Sequence, residues 1–309
     1  MNVSRVRPFK HAAETTQAAL DAAAATPGRS LWQDAWRRLK TNRAAMASLV
    51  VLVLMILAAA FIPLISPYHY YTPQWDLLNH WPTLTGFHIF GTDDLGRDEL
   101  VRVMWGMRVS LMIGLVASVV SLVIGVLWGA TAGYLGGWVD SLMMRIVDIL
   151  YAVPFIPFVI VLLVLFGRNL ILIFIAIGAV SWLDIARIVR GQALSLKKRE
   201  FVEAARASGV GSFTIIRRHL VPNLIGIVVI YITLTIPALI LFEAFLSFLG
   251  LGVQAPMASL GSLVSDGVAD LQSYPYLLIV PSVFLAGLIY CFNYLGDGLR
   301  DALDPKDRR

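Results

Sequence analysis

The sequence has a single cysteine, Cys291, and it lies inside an apolar run. A disulfide within the chain is therefore excluded, and so is a thiolate metal centre. No Gly-Lys dipeptide occurs. That removes a phosphate-binding loop, and with it an ATPase motor in this chain. HExxH and GxSxG are missing too, so nothing supports hydrolase chemistry and no catalytic residue is assigned. His11, His69, His80, His88 and His219 are scattered. Charge is scarce, at 15% of residues, against about a quarter in a typical soluble chain. The segment 250–276 has no Lys or Arg at all. The first 43 residues have no early apolar core, so they read as a polar tail and not as a signal peptide.

Hydrophobic residues take the place of charge, at 58% of the 309 positions. This composition describes an all-α, polytopic integral membrane protein. A bilayer core needs about 20 apolar residues per helix. Six runs meet that need or come close: Ala44–Ile65, Val109–Ala132, Ile146–Phe166, Leu170–Ala186, Leu224–Leu249 and Leu277–Leu295. Pro154 and Pro157 kink or break the third. Gly114, Gly125 and Gly129 are close-packing positions in the second. Residues 1–30 read as disordered, and Ser30–Arg43 as an amphipathic helix on the lipid surface.

The net charge of +5 would suggest nucleic acid in a soluble protein. Here its location matters more. Twenty-one of the 25 Lys/Arg fall in residues 1–43, near Arg145, in Arg187–Arg218, or from Arg300 onward. Only Arg97, Arg102, Arg108 and Arg168 fall in the other connecting segments. The positive-inside rule then predicts both termini in the cytoplasm. The domain plan is a cytoplasmic tail over 1–43, a transmembrane domain over 44–300 with a cytoplasmic loop at 191–223, and a tail over 301–309.

Asp93, Asp94, Asp98 and Glu99 precede the second run, but their spacing does not fit a calcium loop. The reading is that Thr92 or Asp93 caps a helix, with Arg97 and Arg102 paired to acids, and no metal is assigned. Glu243 sits inside the fifth run. An intramembrane acid marks either a transport pathway or a helix-pairing contact. Asp148, Asp184, Arg187 and Arg190 lie near the inner ends of their runs, where ion pairing and snorkelling account for them.

The most charged stretch is Lys197–Asn223, KKREFVEAARASGVGSFTIIRRHLVPN. It reads as helix, turn, helix, with Gly209 and Gly211 as punctuation and Pro222 stopping the second helix. Glu203-Ala204-Ala205 is followed by Gly209 and, thirteen residues on, by Pro222. This pattern resembles the coupling loop of ABC-importer membrane subunits. His219 and Val221 depart from it, where Ile and Leu are usual.

FGTDDLGRD from Phe90, GYLGGWVDSLMMR from Gly133, SWLDIARIVRGQ from Ser181, ILFEAFLSFLGLG from Ile240 and GDGLRDALDPKDR from Gly296 extend the likeness to the peptide and nickel branch. GRSLWQDA from Gly28 and the Ser181 stretch lean towards oligopeptide permeases. The resemblance implies a multi-pass protein of the bacterial inner membrane. It implies a second, homologous permease as partner, two ABC ATPases carrying ATP and Mg, and an extracytoplasmic peptide-binding protein. It also implies that Glu203, Ala204, Ala205, Gly209 and Pro222 pass ATPase motion to the membrane helices. No cofactor is assigned to this chain. Alternative readings are a permease for dipeptides, glutathione or nickel, or a stand-alone secondary transporter using Glu243.

Overall fold

The computed structural model describes residues 31–167 and 170–303. The expectations for residues 1–30, Arg168 and the end of the tail lie outside the described residues. Eleven α-helices follow in order among the described residues: α1 Leu31–Thr41, α2 Arg43–Ile65, α3 Glu99–Leu135, α4 Gly137–Ala152, α5 Phe155–Phe166, α6 Leu170–Leu196, α7 Glu200–Ala207, α8 Ser212–Ile215, α9 Val221–Phe248, α10 Leu260–Ala269 and α11 Tyr276–Leu303. Among the described residues five helical stretches are long and apolar enough to cross a membrane, and the bent α4–α5 pair makes a sixth if it is one span.

The bundle is organised on the pairing of α3 with α6. Gly125, Gly129 and Gly133 repeat every four residues, so they share one face of α3. A Cβ at Gly125 would stand 2.7 Å from the Cβ of Ile185, and one at Gly133 would stand 2.7 Å from the Arg190 carbonyl. Only hydrogen fits there, so the two backbones run side by side. At Gly114, nearer the start of α3, the space a Cβ would take is filled by the Ile240 side chain of α9, 2.8 Å away. Away from these seams α2 and α5 expose Leu54, Phe61, Leu64, Val164, Leu165 and Phe166, the surface a lipid tail would cover.

Proline shapes the helices at two sites, and at the first the defect it introduces is repaired. Pro63 lies inside α2 and has no N–H for the carbonyl of Ala59, four residues back. Arg108 of α3 fills the gap, donating from Nε to the Ala59 carbonyl and from Nη2 to that of Ala60. It is a structural clamp, and an unmet carbonyl at that depth would be costly. Pro154 separates α4 from α5, and the two helices bend by 77°. Pro157 falls in the first turn of α5, where no donor is required.

Besides α4, which begins at Gly137 and not near Ile146, helix bounds depart from the sequence reading in four places. α3 begins ten residues early and has 37 residues, about 55 Å, so it outruns a hydrocarbon core of about 30 Å. Its N-cap is Asp98, whose side chain accepts from the Val101 N–H at 2.9 Å. Thr92 and Asp93 are not the cap, because their side chains are used elsewhere. The Thr92 hydroxyl donates to the Leu77 carbonyl, and Asp93 binds two arginines. α6 continues to Leu196, past the charges that looked like its end. Those charges are neutralised sideways: Arg190 grips Asp140 of α4 at 2.6 and 2.7 Å, and Arg187 meets Asp148 at 2.8 Å.

The third departure is a correction at Pro222, which does not stop a helix. α8 runs through a π-helical turn, Ile216–Leu220, directly into α9. The Val221 N–H bonds the Ile216 carbonyl, five residues back. Pro222 then sits at the start of α9, where its missing donor costs little. Fourth, α11 continues to Leu303 beyond its apolar run. α1 packs Ala35 and Leu39 against Ala45 of α2 and Ala302 of α11, leaving Trp36 exposed.

Candidate functional site

Three polar sites stand out against this apolar frame. The first is the short α7 between α6 and α8. Its Val202 is fully buried in a cluster with Ile215, Leu220 and Leu224, so one side of the helix is fixed. The opposite side, with Glu203 and Ala204, is exposed. Arg206 and Lys197 both stand over the ring of Tyr134, at 5.6 and 5.7 Å, which ties α7 to the end of α3.

The turn after α7 is a Schellman motif. The Gly209 N–H donates to the Arg206 carbonyl at 3.0 Å, and the Val210 N–H to the Ala205 carbonyl at 3.1 Å. Gly209 has φ +78°, a conformation a side chain resists. Ala205 and Val210 both pack against the buried cluster beneath the turn. Pro222 lies beyond the π turn, lining a surface hollow of about 540 Å³ with Phe213, Thr214, Arg217 and Arg218. Glu203, Ala204, Ala205 and Gly209 thus form one unit, with Pro222 at the other end of the same helical hairpin.

The second site is Glu243, on α9 roughly 30 Å further along the helix from Pro222 at 1.5 Å per residue. Its side chain is completely buried. Ser247 and Ser259 donate to Oε1 at 2.7 and 2.6 Å, and Ser110 donates to Oε2 at 3.3 Å. The hydroxyls of Ser110 and Ser259 accept the N–H groups of Leu260 and Ser262 at 3.1 and 3.0 Å. Their own protons are thereby directed at the carboxylate. The cage joins α3, α9 and the N-terminus of α10, and Ser259 is the N-cap of α10.

Replacing Glu243 by glutamine keeps an acceptor for Ser247 and Ser259 but turns a donor on the hydroxyl of Ser110. We expect a loss of about 1–3 kcal/mol, the cost of one unmet buried hydrogen bond. Glu243→Leu strips all three hydroxyls of their acceptor and should cost more. Thermal melting of the detergent-purified protein reads the order wild type, Gln, Leu. Equal melting of all three would remove the cage from the account of stability.

The third site is the loop before α3. Asp93 accepts the Leu95 and Arg97 N–H groups at 2.9 and 2.8 Å, receives Arg97 Nε at 2.7 Å, and binds Arg102. His88 Nδ1 meets Asp98 Oδ2 at 2.9 Å in a buried contact. Burial pushes the Asp98 carboxyl above its ordinary range, opposed by the N–H of Val101 and by His88. Tyr276 of α11 donates to the Thr92 carbonyl at 2.7 Å. Among the described residues no group of three or more His, Cys, Asp or Glu is arranged to hold a metal ion.

The serine cage was not found from the sequence, because Ser110 and Ser259 lie far from Glu243 along the chain. The π turn left no signal either. Burial of Glu99 was equally hidden, although four acids in seven residues marked its neighbourhood.

Long apolar helices, packed through glycine seams and carrying a small amphipathic helix between two of them, define a polytopic helical membrane protein. The chain belongs to the family of binding-protein-dependent transport system inner membrane components, whose model matches residues 121–309. Residues 30–82 match the N-terminal TM domain of oligopeptide transport permease C. The oligopeptide transport system permease protein OppC of Escherichia coli K12 is 56% identical over 281 residues, covering 91% of this chain and 93% of that protein. OppC of Haemophilus influenzae is 54% identical over 91% of this chain and 90% of its own length. The dipeptide transport system permease protein DppC of Bacillus subtilis is 46% identical, over 92% and 88%. Among solved structures, an inward-facing MetNI methionine ABC transporter covers 64% of this chain and 94% of its own, with TM-score 0.51 and 20% identity. That likeness concerns the fold. This chain is an inner-membrane permease subunit of a binding-protein-dependent transporter.

Proposed function

We propose that this chain is one of two homologous membrane subunits of an ABC importer for oligopeptides, and that α7 is its contact with an ATPase. The observation that carries the coupling role is the build of α7. It is fixed on one side by Val202, tied to α3 by Arg206, and exposed along Glu203 and Ala204. Such a helix transmits a push without deforming, because the α3–α6 seam behind it has no slack. ATP and Mg belong to the partner ATPases. Both termini and α7 face the cytoplasm in this reading, which the Lys/Arg distribution supports. An extracytoplasmic binding protein delivers the peptide to the opposite face.

The greater identity to OppC proteins than to the DppC relative supports oligopeptides over dipeptides. A secondary transporter is less supported, since Glu243 has its oxygens occupied by serines of its own chain. The test is a pull-down of this chain from solubilised membranes, with ATPase activity assayed on the eluate. A second permease and two ATPases are expected, with activity. An eluate of this chain alone, inactive in mild detergent, would refute the importer reading.

A further inference from the structure

Among the described residues, one buried charged group takes no part in any of these arrangements. Glu99, in the first turn of α3, is 1% exposed. Its neighbours are engaged: Arg97 and Arg102 are held by Asp93, and Asp98 by His88 and the Val101 N–H. No hydrogen bond or ion pair reaches the Glu99 carboxylate among the described residues. A carboxylate withdrawn from water without a partner is unfavourable by several kcal/mol, so such a group either keeps a proton or takes a cationic partner.

Glu99 lines a cavity of about 360 Å³ between the loop before α3 and the helix α10. Asp94, Asp266 and Asp270 stand on its other walls, together with Gly267 and Ala269, which add no bulk. Asp94 and Asp266 are 63% and 68% exposed. The cavity thus has acids at its mouth and an unpaired acid in its wall. Arg97 and Arg102 line the cavity too, each held by Asp93 and facing one mouth acid, Asp94 at 3.7 Å and Asp266 at 3.8 Å, which leaves Glu99 and Asp270 without an ion pair among the described residues. A mouth of this kind attracts a cation, and the buried acid holds it once desolvated.

We infer that this cavity receives a lysine or arginine side chain of the extracytoplasmic binding protein when that protein docks. The inference rests on the importer reading above, which puts this end of α3 outside. A long basic side chain fits because its apolar stem can lie along Ala255, Leu263 and Leu277 while its head reaches Glu99. A bare metal ion fits less well, as no metal-holding group of acids is present among the described residues.

The test uses the whole complex in lipid nanodiscs, titrated with its labelled, peptide-loaded binding protein at low and at high salt. Glu99→Gln is expected to weaken docking by at least about tenfold, as for loss of one member of a buried charge pair. Asp94→Asn combined with Asp266→Asn should flatten the salt dependence, since both lie at the exposed mouth. That pair carries the test if Glu99→Gln fails to assemble. If the wild-type complex docks its binding protein and both variants dock equally well with an unchanged salt slope, the inference is overturned and the importer reading stands. If the wild-type complex docks none, the importer reading fails with it. If Glu99→Gln docks normally but free peptide alone no longer stimulates the ATPase, the cavity serves the cargo ammonium and the inference is equally overturned.

Discussion

Glu203→Lys is expected to lower peptide import at least tenfold while the protein stays folded in the membrane. The argument rests on what Glu203 does not do. It is exposed, and no ion pair holds it within the chain among the described residues. Exposed substitutions of this kind change stability by roughly half a kcal/mol or less. A lysine in the first turn of α7 also meets the positive end of a helix dipole, but that penalty is about 0.3–1 kcal/mol. Neither effect unfolds the bundle. A large loss of transport must then come from a surface outside this chain.

Gly209→Pro attacks the same element from within. Proline fixes φ near −65°, whereas Gly209 requires +78°. It also deletes the N–H that closes the turn onto Arg206. We expect α7 to lose its orientation and import to fall as far. Radiolabelled peptide uptake and ATPase activity, measured on complexes matched for yield, check both variants. Normal uptake by either one would show that α7 is not the coupling contact.

Much of this was legible because it depends on local chemistry. Gly209 announced itself, since a left-handed turn after a helix selects glycine. Gly114, Gly125 and Gly129 of α3 could be named from small residues spaced along an apolar helix, whereas Gly133 lies just past the end of that run. Their partners could not, because Ile185, Ala186 and Arg190 are a matter of tertiary approach. Glu243 could be flagged by type alone. The cage that surrounds it joins Ser110 to Glu243 across 133 positions, and no local pattern carries that information. The misreading of Pro222 has a physical cause as well. One carbonyl skipped in the π turn lets a helix pass through a proline, and the residues Ile216–Leu220 look like any other helix. Asp98 was overlooked as a cap because Thr92 and Asp93 are equally good caps by residue type. Only the loop geometry, which spends both on other partners, decides among them.

The α3–α6 seam should be the least forgiving part of the molecule. At Gly129 an added Cβ would collide with the Ala186 carbonyl and come within 2.9 Å of both the Arg190 nitrogen and the Val189 Cβ. Two of those three atoms are backbone and cannot turn aside. Gly129→Ala is therefore expected to lower the melting temperature of the purified protein by several degrees. Overpacking of this order costs about 1–3 kcal/mol when neighbours can yield, and here they yield little. Gly129→Leu would have to separate the helices, breaking the Asp140–Arg190 pair and the wall behind α7 at once. No monodisperse protein should be recovered. Gly191, on α6 itself, has nothing within 4 Å of an added Cβ, so Gly191→Ala should be tolerated. The contrast between the two alanines is the measurement. Equal melting would mean that α3 and α6 are not in backbone contact, and the rigid element on which the proposed coupling depends would be lost.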